Sequence, residues 1–179
     1  TLYQLVEGER GSAVRENAGR SIFPAYIDLQ RLAGRPTDEW LRRLARDICQ
    51  KVNTSSLDRS TPDSGPAEET AYAAFDRCID RLENTLPADG FILLAVDEFE
   101  QLRDGIESGF LDPNILPFLR SQIQHRERLA FLLCGSGSLL DPFWNPIVDL
   151  AARYELRGLS YDETVMLVRQ PVKGMLTID

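Results

Sequence analysis

The sequence predicts an α/β fold, a parallel sheet with helices on both faces. Two observations indicate buried strands: residues 91–96 (FILLAV) and 129–134 (LAFLLC) are continuous apolar runs, typical of parallel strands that are covered on both faces. The third observation is that amphipathic helical patterns alternate with these runs along the chain. Such alternation favours right-handed crossovers between parallel strands.

The first half of the chain has further, weaker signals. Residues 1–9 carry apolar side chains at helical spacing, and residues 22–29 (IFPAYIDL) predict another buried strand. Pro-Thr-Asp at 36–38 predicts the start of a helix, whose apolar face continues to Val52. Residues 53–66 are rich in Ser, Thr, Pro and Gly, so we expect a mobile loop there.

The second half continues the alternation. A helix is predicted over residues 68–86, and Asp-Pro at 112–113 predicts another helix with Pro at its first position. Residues 154–156 are a short candidate for a third strand after the two apolar runs. Residues 160–163 carry the Ser and Glu of a capping box, which predicts a last helix that ends before Pro171.

Composition excludes several classes of protein. The 179 residues hold 20 Lys+Arg against 28 Asp+Glu, a net charge of −8, which gives no support to nucleic-acid binding. The longest apolar runs have six residues, far below the roughly 20 that a membrane helix needs. No secretory signal opens the chain, and the three cysteines are an odd number without metal-ligand spacing. We therefore expect a cytoplasmic protein with free, buried thiols and no membrane contact.

Asp97 and Glu98 follow directly after residues 91–96 and are the strongest chemical signal. The carboxyl end of a parallel strand opens into the crevice where α/β sheets bind ligands. There Asp97 would hold the water shell of a Mg²⁺ ion on nucleotide phosphates, and Glu98 would polarise an attacking water. Acidic residues are also common as helix caps, so the isolated pattern leaves both interpretations open.

Small polar residues follow the other apolar run. Ser136 would place a hydroxyl beside the attacking water. Without the neighbouring acidic strand, a plain Gly-Ser turn would be the default interpretation of residues 135–138. Asp28, at the end of residues 22–29, is a weaker candidate for the crevice, and a turn residue is its simpler role.

Together, the strands that end in Asp97-Glu98 and at Ser136 resemble the Walker B and sensor 1 strands of P-loop NTPases of the AAA+/STAND group, most closely bacterial and archaeal STAND-type ATPases. Residues 154–171 (YELRGLSYDETVMLVRQP) look like the last core strand and the start of the lid helix in that group. Residues 1–8 and 23–30 are similar to the helix after the phosphate-binding loop and to the second strand. The resemblance implies an incomplete ATPase core over 1–158, with a mobile loop at about 53–67, and the beginning of a helical lid over 159–179.

The sequence departs from the group in its phosphate-binding loop. It contains no Gly-Lys-Ser/Thr, and Lys51 and Lys173 are its only lysines. The resemblance thus implies a fragment that begins just after the Walker A motif and lacks the first core strand. Thr1 would then lie at or just after the nucleotide-binding Ser/Thr of that motif, and the fragment alone is predicted to be inactive, with no tightly bound ATP or Mg²⁺.

Two arginines complete the candidate site by resemblance. Arg153 would reach the γ-phosphate of a neighbouring subunit as a catalytic group, and Arg169 would bind the nucleotide of its own chain. Surface charges near helix ends are the simpler interpretation of both arginines.

The expected function is therefore part of an ATP-binding and ATP-hydrolysing regulatory domain for signal transduction, with protein partners or self-association. The alternative is a degenerate, non-catalytic STAND-like interaction domain. A metal-dependent hydrolase built on Asp97, Glu98 and Glu100 ranks low, because histidine ligands and a second acidic strand end are missing.

Overall fold

The computed structural model describes residues 2–6, 8, 11–12, 19–55, 69–136 and 141–170. Within them, three strands form one parallel sheet in the order β1-β2-β3, with β1 at Ile22–Asp28, β2 at Phe91–Asp97 and β3 at Leu129–Leu133. The strand β2 lies in the centre and pairs with both neighbours along almost its whole length. The α/β class and the parallel sheet are confirmed.

Helices connect and flank the strands. Their bounds in the described part of the chain are α1 Leu2–Val6, α2 Thr37–Ser55, α3 Ala71–Thr85, α4 Gln101–Glu107, α5 Ile115–His125, α6 Asn145–Val148 and α7 Tyr161–Arg169, with 3-10 turns at Leu29–Leu32 and Pro142–Trp144. The capping box of α7 is confirmed, since Ser160 and Glu163 bond to each other's backbone N–H groups. None of the described helices combines the length and the apolar character that a bilayer crossing needs.

Three local predictions were wrong. Residues 154–156 are not a strand, and Tyr154 is 85% exposed, because an extended segment becomes a strand only when another strand pairs with it. The helix expected at Pro113 begins at Ile115, because Asp112 accepts the backbone N–H of Asn114 at 2.9 Å and closes a turn there. Residues 53–55 belong to α2 rather than to a loop, while the rest of the predicted mobile loop lies outside the described residues.

The two faces of the sheet are covered unequally. Alternate strand residues point to the larger core, which α2, α3 and α5 complete; its strand members are Ala25, Ile27, Ile92, Leu94, Val96 and Leu129. On the opposite face, Ala95 packs with Leu2 and Val6 of α1, together with Tyr26 and Cys134. Helices were predicted on both faces, and in the described residues α1 is the helix whose side chains cover this second face.

Two arginines fix the start of β3 against α3. Arg126 lies 3.0 Å from both Asp76 and Glu83 and also pairs with Asp80, all three on α3. Arg128 donates to the backbone carbonyls of Glu83 at 2.6 Å and Gly90 at 2.9 Å. Because these bonds join α3, the approach to β2 and the approach to β3, they hold the two strands in register.

A disulfide joins the two longest helices. Cys49 on α2 and Cys78 on α3 are bonded, with Cα atoms 7.0 Å apart, so the prediction of free thiols is wrong for both residues. The sequence could not indicate this bond, because it depends on tertiary structure. The helices α2 and α3 pack side by side and bring together two cysteines that are 29 residues apart in sequence. Cys134 is the free cysteine.

We predict that the double variant Cys49→Ala/Cys78→Ala loses about 3–4 kcal/mol of stability, since closing a loop of this length removes that much entropy from the unfolded chain. The melting temperature should fall by about 10 °C, as measured by thermal unfolding in the absence of reductant. Cys134→Ala is the matched control and should retain the reductant-sensitive melting of the wild type. Three titratable thiols in the unreduced, denatured wild type, instead of one, would contradict the bond.

Candidate functional site

The carboxyl ends of the three strands meet at one edge of the sheet. Asp28 and Asp97 are direct partners in the register of β1 and β2, so both carboxylates leave the sheet at the same level. The expectation that a second acidic strand end is missing was therefore wrong, because β1 ends at Asp28. Beyond the end of β3, the backbone N–H of Cys134 still donates to the carbonyl of Val96 at 2.8 Å. Parallel pairing therefore brings residues 134–136 to the same edge as the two carboxylates. We call Asp28, Asp97, Glu98 and Glu100 the acidic edge.

Asp97 is held by two hydrogen-bond donors. The Tyr26 hydroxyl donates to its Oδ2 atom at 2.9 Å, and the backbone N–H of Glu98 donates to its Oδ1 atom at 3.2 Å. The Cys134 thiol is a neighbour of this carboxylate, and burial, followed by the negative charge of Asp97, raises the pKa of that thiol. The carboxylate of Asp97 therefore has a fixed orientation.

Glu98 has a strained backbone. Its φ is +55°, a left-handed conformation that costs a non-glycine residue about 1–2 kcal/mol. The residue after it explains the conformation: Phe99 is 2% exposed, packs edge-on against Trp144 at 4.6 Å and donates its N–H to the carbonyl of Cys134 at 3.2 Å. Because the sheet holds Asp97 and the core holds Phe99, Glu98 must make the turn between them.

Glu100 binds the end of β3. Its Oε1 atom accepts the backbone N–H of Ser136 at 3.0 Å and also the Ser136 hydroxyl. Gly135 permits this approach, since a Cβ there would lie 2.2 Å from Glu100 Oε2 and 2.8 Å from the Phe99 ring. The hydroxyl of Ser136 is thus used to hold a carboxylate in this conformation.

The two glutamates have opposite pKa shifts. The negative charge of Glu100, followed by burial and the charges of Asp97 and Asp28, raises the pKa of Glu98. Burial acts to raise the pKa of Glu100 too, but the hydrogen bonds that it accepts from the hydroxyl and the backbone N–H of Ser136 outweigh burial, and the pKa of Glu100 is lowered. Glu98 is therefore the member of the pair that takes up a proton first.

The structure brings Asp97, Glu98 and Ser136 to one edge, as the sequence predicted. Asp28 caps the 3-10 turn after β1, accepting the N–H of Gln30 at 3.0 Å, so the turn role is confirmed.

The other predicted site residues lie elsewhere or outside the described part of the chain. Arg153 is 4.0 Å from Asp149 and Arg169 is the exposed last residue of α7, so their proposed contacts with nucleotide stay predictions. Thr1 lies outside the described residues.

Sequence reasoning missed two neighbours of Asp97 and the contact between Glu100 and Ser136. Tyr26 and Cys134 were assigned only to apolar patterns, and Glu100 was considered only as a metal ligand. The signal for Tyr26 was its position two residues before Asp28, which gives both side chains the same face of β1. That signal becomes useful only once the register of β1 against β2 is known.

A cavity of about 200 Å³ lies beside this edge, between the Leu29–Leu32 turn and α4. Its floor is apolar, from Leu29, Trp40 and Leu111, and its rim carries Arg35 and Asp104. The residues of the acidic edge do not line it. The candidate site is therefore the acidic edge and not the cavity.

The described residues contain no group of three His, Cys, Asp or Glu side chains placed to hold a metal ion between them. Mg²⁺ on a nucleotide needs no such group, since one or two carboxylates, water and the phosphates normally bind it. The oxygen atoms of Asp97 suit that kind of binding, and the mutual repulsion of the acidic edge would be relieved by a cation.

Comparison with known proteins assigns nothing further: no family model, curated protein or solved structure matches this chain. The acidic edge and the residues that hold it are therefore the features that bear on function.

We predict that Gly135→Ala forces Glu100 away from Ser136 and destabilises the fold by about 1–3 kcal/mol, because the Phe99 ring cannot move out of the core. Urea unfolding measures the change. Gly158→Ala is the matched control, since a Cβ at that position meets nothing within 4 Å. Equal stability of the two variants would show that the close approach of Gly135 to Glu100 is absent in solution.

We predict that Glu98→Gln stabilises the protein at neutral pH. A carboxyl whose pKa is raised on folding favours the protonated folded state, so ionised Glu98 costs stability once the pH rises through its raised pKa, above 4.5. The variant should melt higher than the wild type at pH 7.5, and the difference should shrink as the pH falls toward 4.5. The exposed Glu127→Gln serves as the control, and a gain for Glu98→Gln that is independent of pH would contradict charge repulsion as its cause.

Proposed function

We propose that this chain is part of an ATP-binding and ATP-hydrolysing regulatory domain of the AAA+/STAND type, acting in signal transduction. One observation carries the proposal: Asp97 and Glu98 stand at the carboxyl end of the central strand of a parallel sheet, with the end of the next strand beside them. This is the part of an α/β sheet where ligands bind. Adjacent carboxylates there supply what phosphoryl transfer needs, a metal ligand and a group that polarises water.

Asp97 is the residue that would hold Mg²⁺, and the ion would supply charge neutralisation on the phosphates when bound. The donors around Asp97 keep its carboxylate in one orientation, which lowers the cost of binding. Asp28 adds negative charge at the same edge. It is not proposed to contact the nucleotide, because its carboxylate already accepts the N–H of Gln30 and caps the turn there.

Glu98 is the residue that would orient and deprotonate the attacking water. Its raised pKa moves it toward the working pH of a general base, and its strained backbone points to a functional role. Glu100 assists by its charge and by its anchorage on Ser136. Ser136 then contributes indirectly, because its hydrogen bonds hold the carboxylate of Glu100 in place.

The nucleotide phosphates need further groups. The 179 residues contain no Gly-Lys-Ser/Thr, so the proposal requires a phosphate-binding loop from sequence outside them, next to Thr1. Arg153 and Arg169 are proposed as additional phosphate contacts, the first on the nucleotide of a neighbouring subunit.

A second candidate function is a non-catalytic, STAND-like interaction domain. It is favoured by the segment from Leu150 to Val168, where large apolar side chains are exposed: Tyr154 at 85%, Leu156 at 88%, Tyr161 at 82% and Leu167 at 62%. Exposed apolar surface of this extent is typical of protein–protein contacts. Both candidates therefore include protein partners or self-association.

We predict that Glu98→Gln, in the protein with its upstream sequence, still binds ATP·Mg²⁺ but hydrolyses it about 10²–10⁴-fold more slowly, since the general base is lost and the phosphate contacts stay. Calorimetry measures the binding and phosphate release measures the rate. Glu127→Gln is the matched exposed control and should hydrolyse ATP at the wild-type rate.

Unchanged hydrolysis in Glu98→Gln would remove Glu98 from the mechanism. Failure of the wild-type protein to bind ATP, with no Gly-Lys-Ser/Thr in its upstream sequence, would favour the interaction domain. Tight binding of ATP·Mg²⁺ by these 179 residues alone would contradict the requirement for an outside loop.

A further inference from the structure

Tyr26 lies beside Asp97 on the neighbouring strand. The register pairs Tyr26 with Ala95, two residues before Asp97, so all three side chains point to the face of the sheet that α1 covers. Ala95 is fully buried and small, which leaves room for the Tyr26 ring to reach along β2. The hydroxyl of Tyr26 then donates to Asp97 Oδ2 at 2.9 Å.

Two helices hold the Tyr26 ring in place. Tyr3 of α1 packs edge-on against it, with ring centroids 5.4 Å apart, a favoured geometry for aromatic pairs. Lys51 of α2 places its Nζ atom 6.0 Å from the ring centroid. The position of the hydroxyl therefore depends on α1 and α2 as well as on β1.

The hydroxyl of Tyr26 remains a donor over the physiological pH range. A phenol keeps its proton at neutral pH, because its ordinary pKa is about 10. The Oδ2 atom of Asp97 is thus bonded to a permanent donor, while its Oδ1 atom receives the longer bond from the backbone of Glu98.

We propose that Tyr26 is the positioning residue of Asp97 and that, through Tyr3, it makes divalent-cation binding at Asp97 depend on the placement of α1. The inference rests on the proposed function, which puts a cation at Asp97. A carboxylate with a fixed orientation loses less freedom on binding a cation than one that turns freely, and loss of such an outer partner costs about 10–100-fold in metal affinity. Tyr26 thereby links α1, through its contact with Tyr3, to cation binding at Asp97, through its hydrogen bond.

The experiment measures the binding of Mn²⁺ alone to the 179-residue chain, by the electron paramagnetic resonance signal of the free ion, up to concentrations at which weak binding without nucleotide phosphates is detected. Absence of Asp97-dependent binding in the wild type would overturn the inference. Asp97→Asn should abolish the Asp97-dependent binding, and Tyr26→Phe should weaken it about tenfold, since phenylalanine keeps the ring packing and removes only the donor. Tyr72→Phe is the matched control: its hydroxyl is buried, has no hydrogen-bond partner among the described residues and should not affect Mn²⁺. Circular dichroism and thermal melting establish that each variant is folded.

The dependence on α1 has its own pair of variants. Tyr3→Ala removes the edge-on contact and should weaken Mn²⁺ binding several-fold, whereas Tyr3→Phe keeps the ring and should restore the wild-type affinity. Wild-type affinity in Tyr3→Ala would overturn the role of α1.

The outcomes separate this inference from the proposed function. Wild-type Mn²⁺ affinity in Asp97→Asn would overturn the proposed function, and the inference with it. Loss of binding in Asp97→Asn but not in Tyr26→Phe would overturn the role of Tyr26 alone.

Discussion

Pairing of β2 with a parallel strand on each side is the constraint on which the rest of the structure depends. Because β1 and β2 end in register at Asp28 and Asp97, and because Cys134 continues the pairing beyond β3, three chain segments reach the same edge at the same height. The bonds of Arg126 and Arg128 to α3 and its loop secure this arrangement from the opposite end of the sheet. The acidic edge is a direct consequence of that alignment.

The acidic edge is costly for the fold. Glu98 is strained, its pKa is raised by the like charges around it, and Gly135 is needed so that Glu100 can approach the backbone of β3. The buried contact between Phe99 and Trp144 and the hydrogen bonds of Ser136 hold this arrangement together. Groups kept close against repulsion and strain are typical of functional sites.

Much of the fold and part of the site were predictable from the sequence. The continuous apolar runs of β2 and β3 predicted buried parallel strands, and Asp97 and Glu98 were found because they directly follow the first of these runs. The prediction of a strand at residues 154–156 was wrong because an apolar pattern does not show whether a partner strand is available for pairing. The contact of Tyr26 with Asp97 and the bond of Cys49 to Cys78 were missed for a related reason, since both depend on how two distant elements align.

In the proposed function, Asp97 and Glu98 form the metal and water side of a nucleotide site. The most direct measurement is a crystal structure of the protein with its upstream sequence, bound to Mg²⁺ and a non-hydrolysable ATP analogue. We expect the ion within one water of the Asp97 carboxylate and the γ-phosphate facing Glu98. A nucleotide bound elsewhere, for example in the cavity between the Leu29–Leu32 turn and α4, with the acidic edge unchanged, would contradict this role of the two carboxylates.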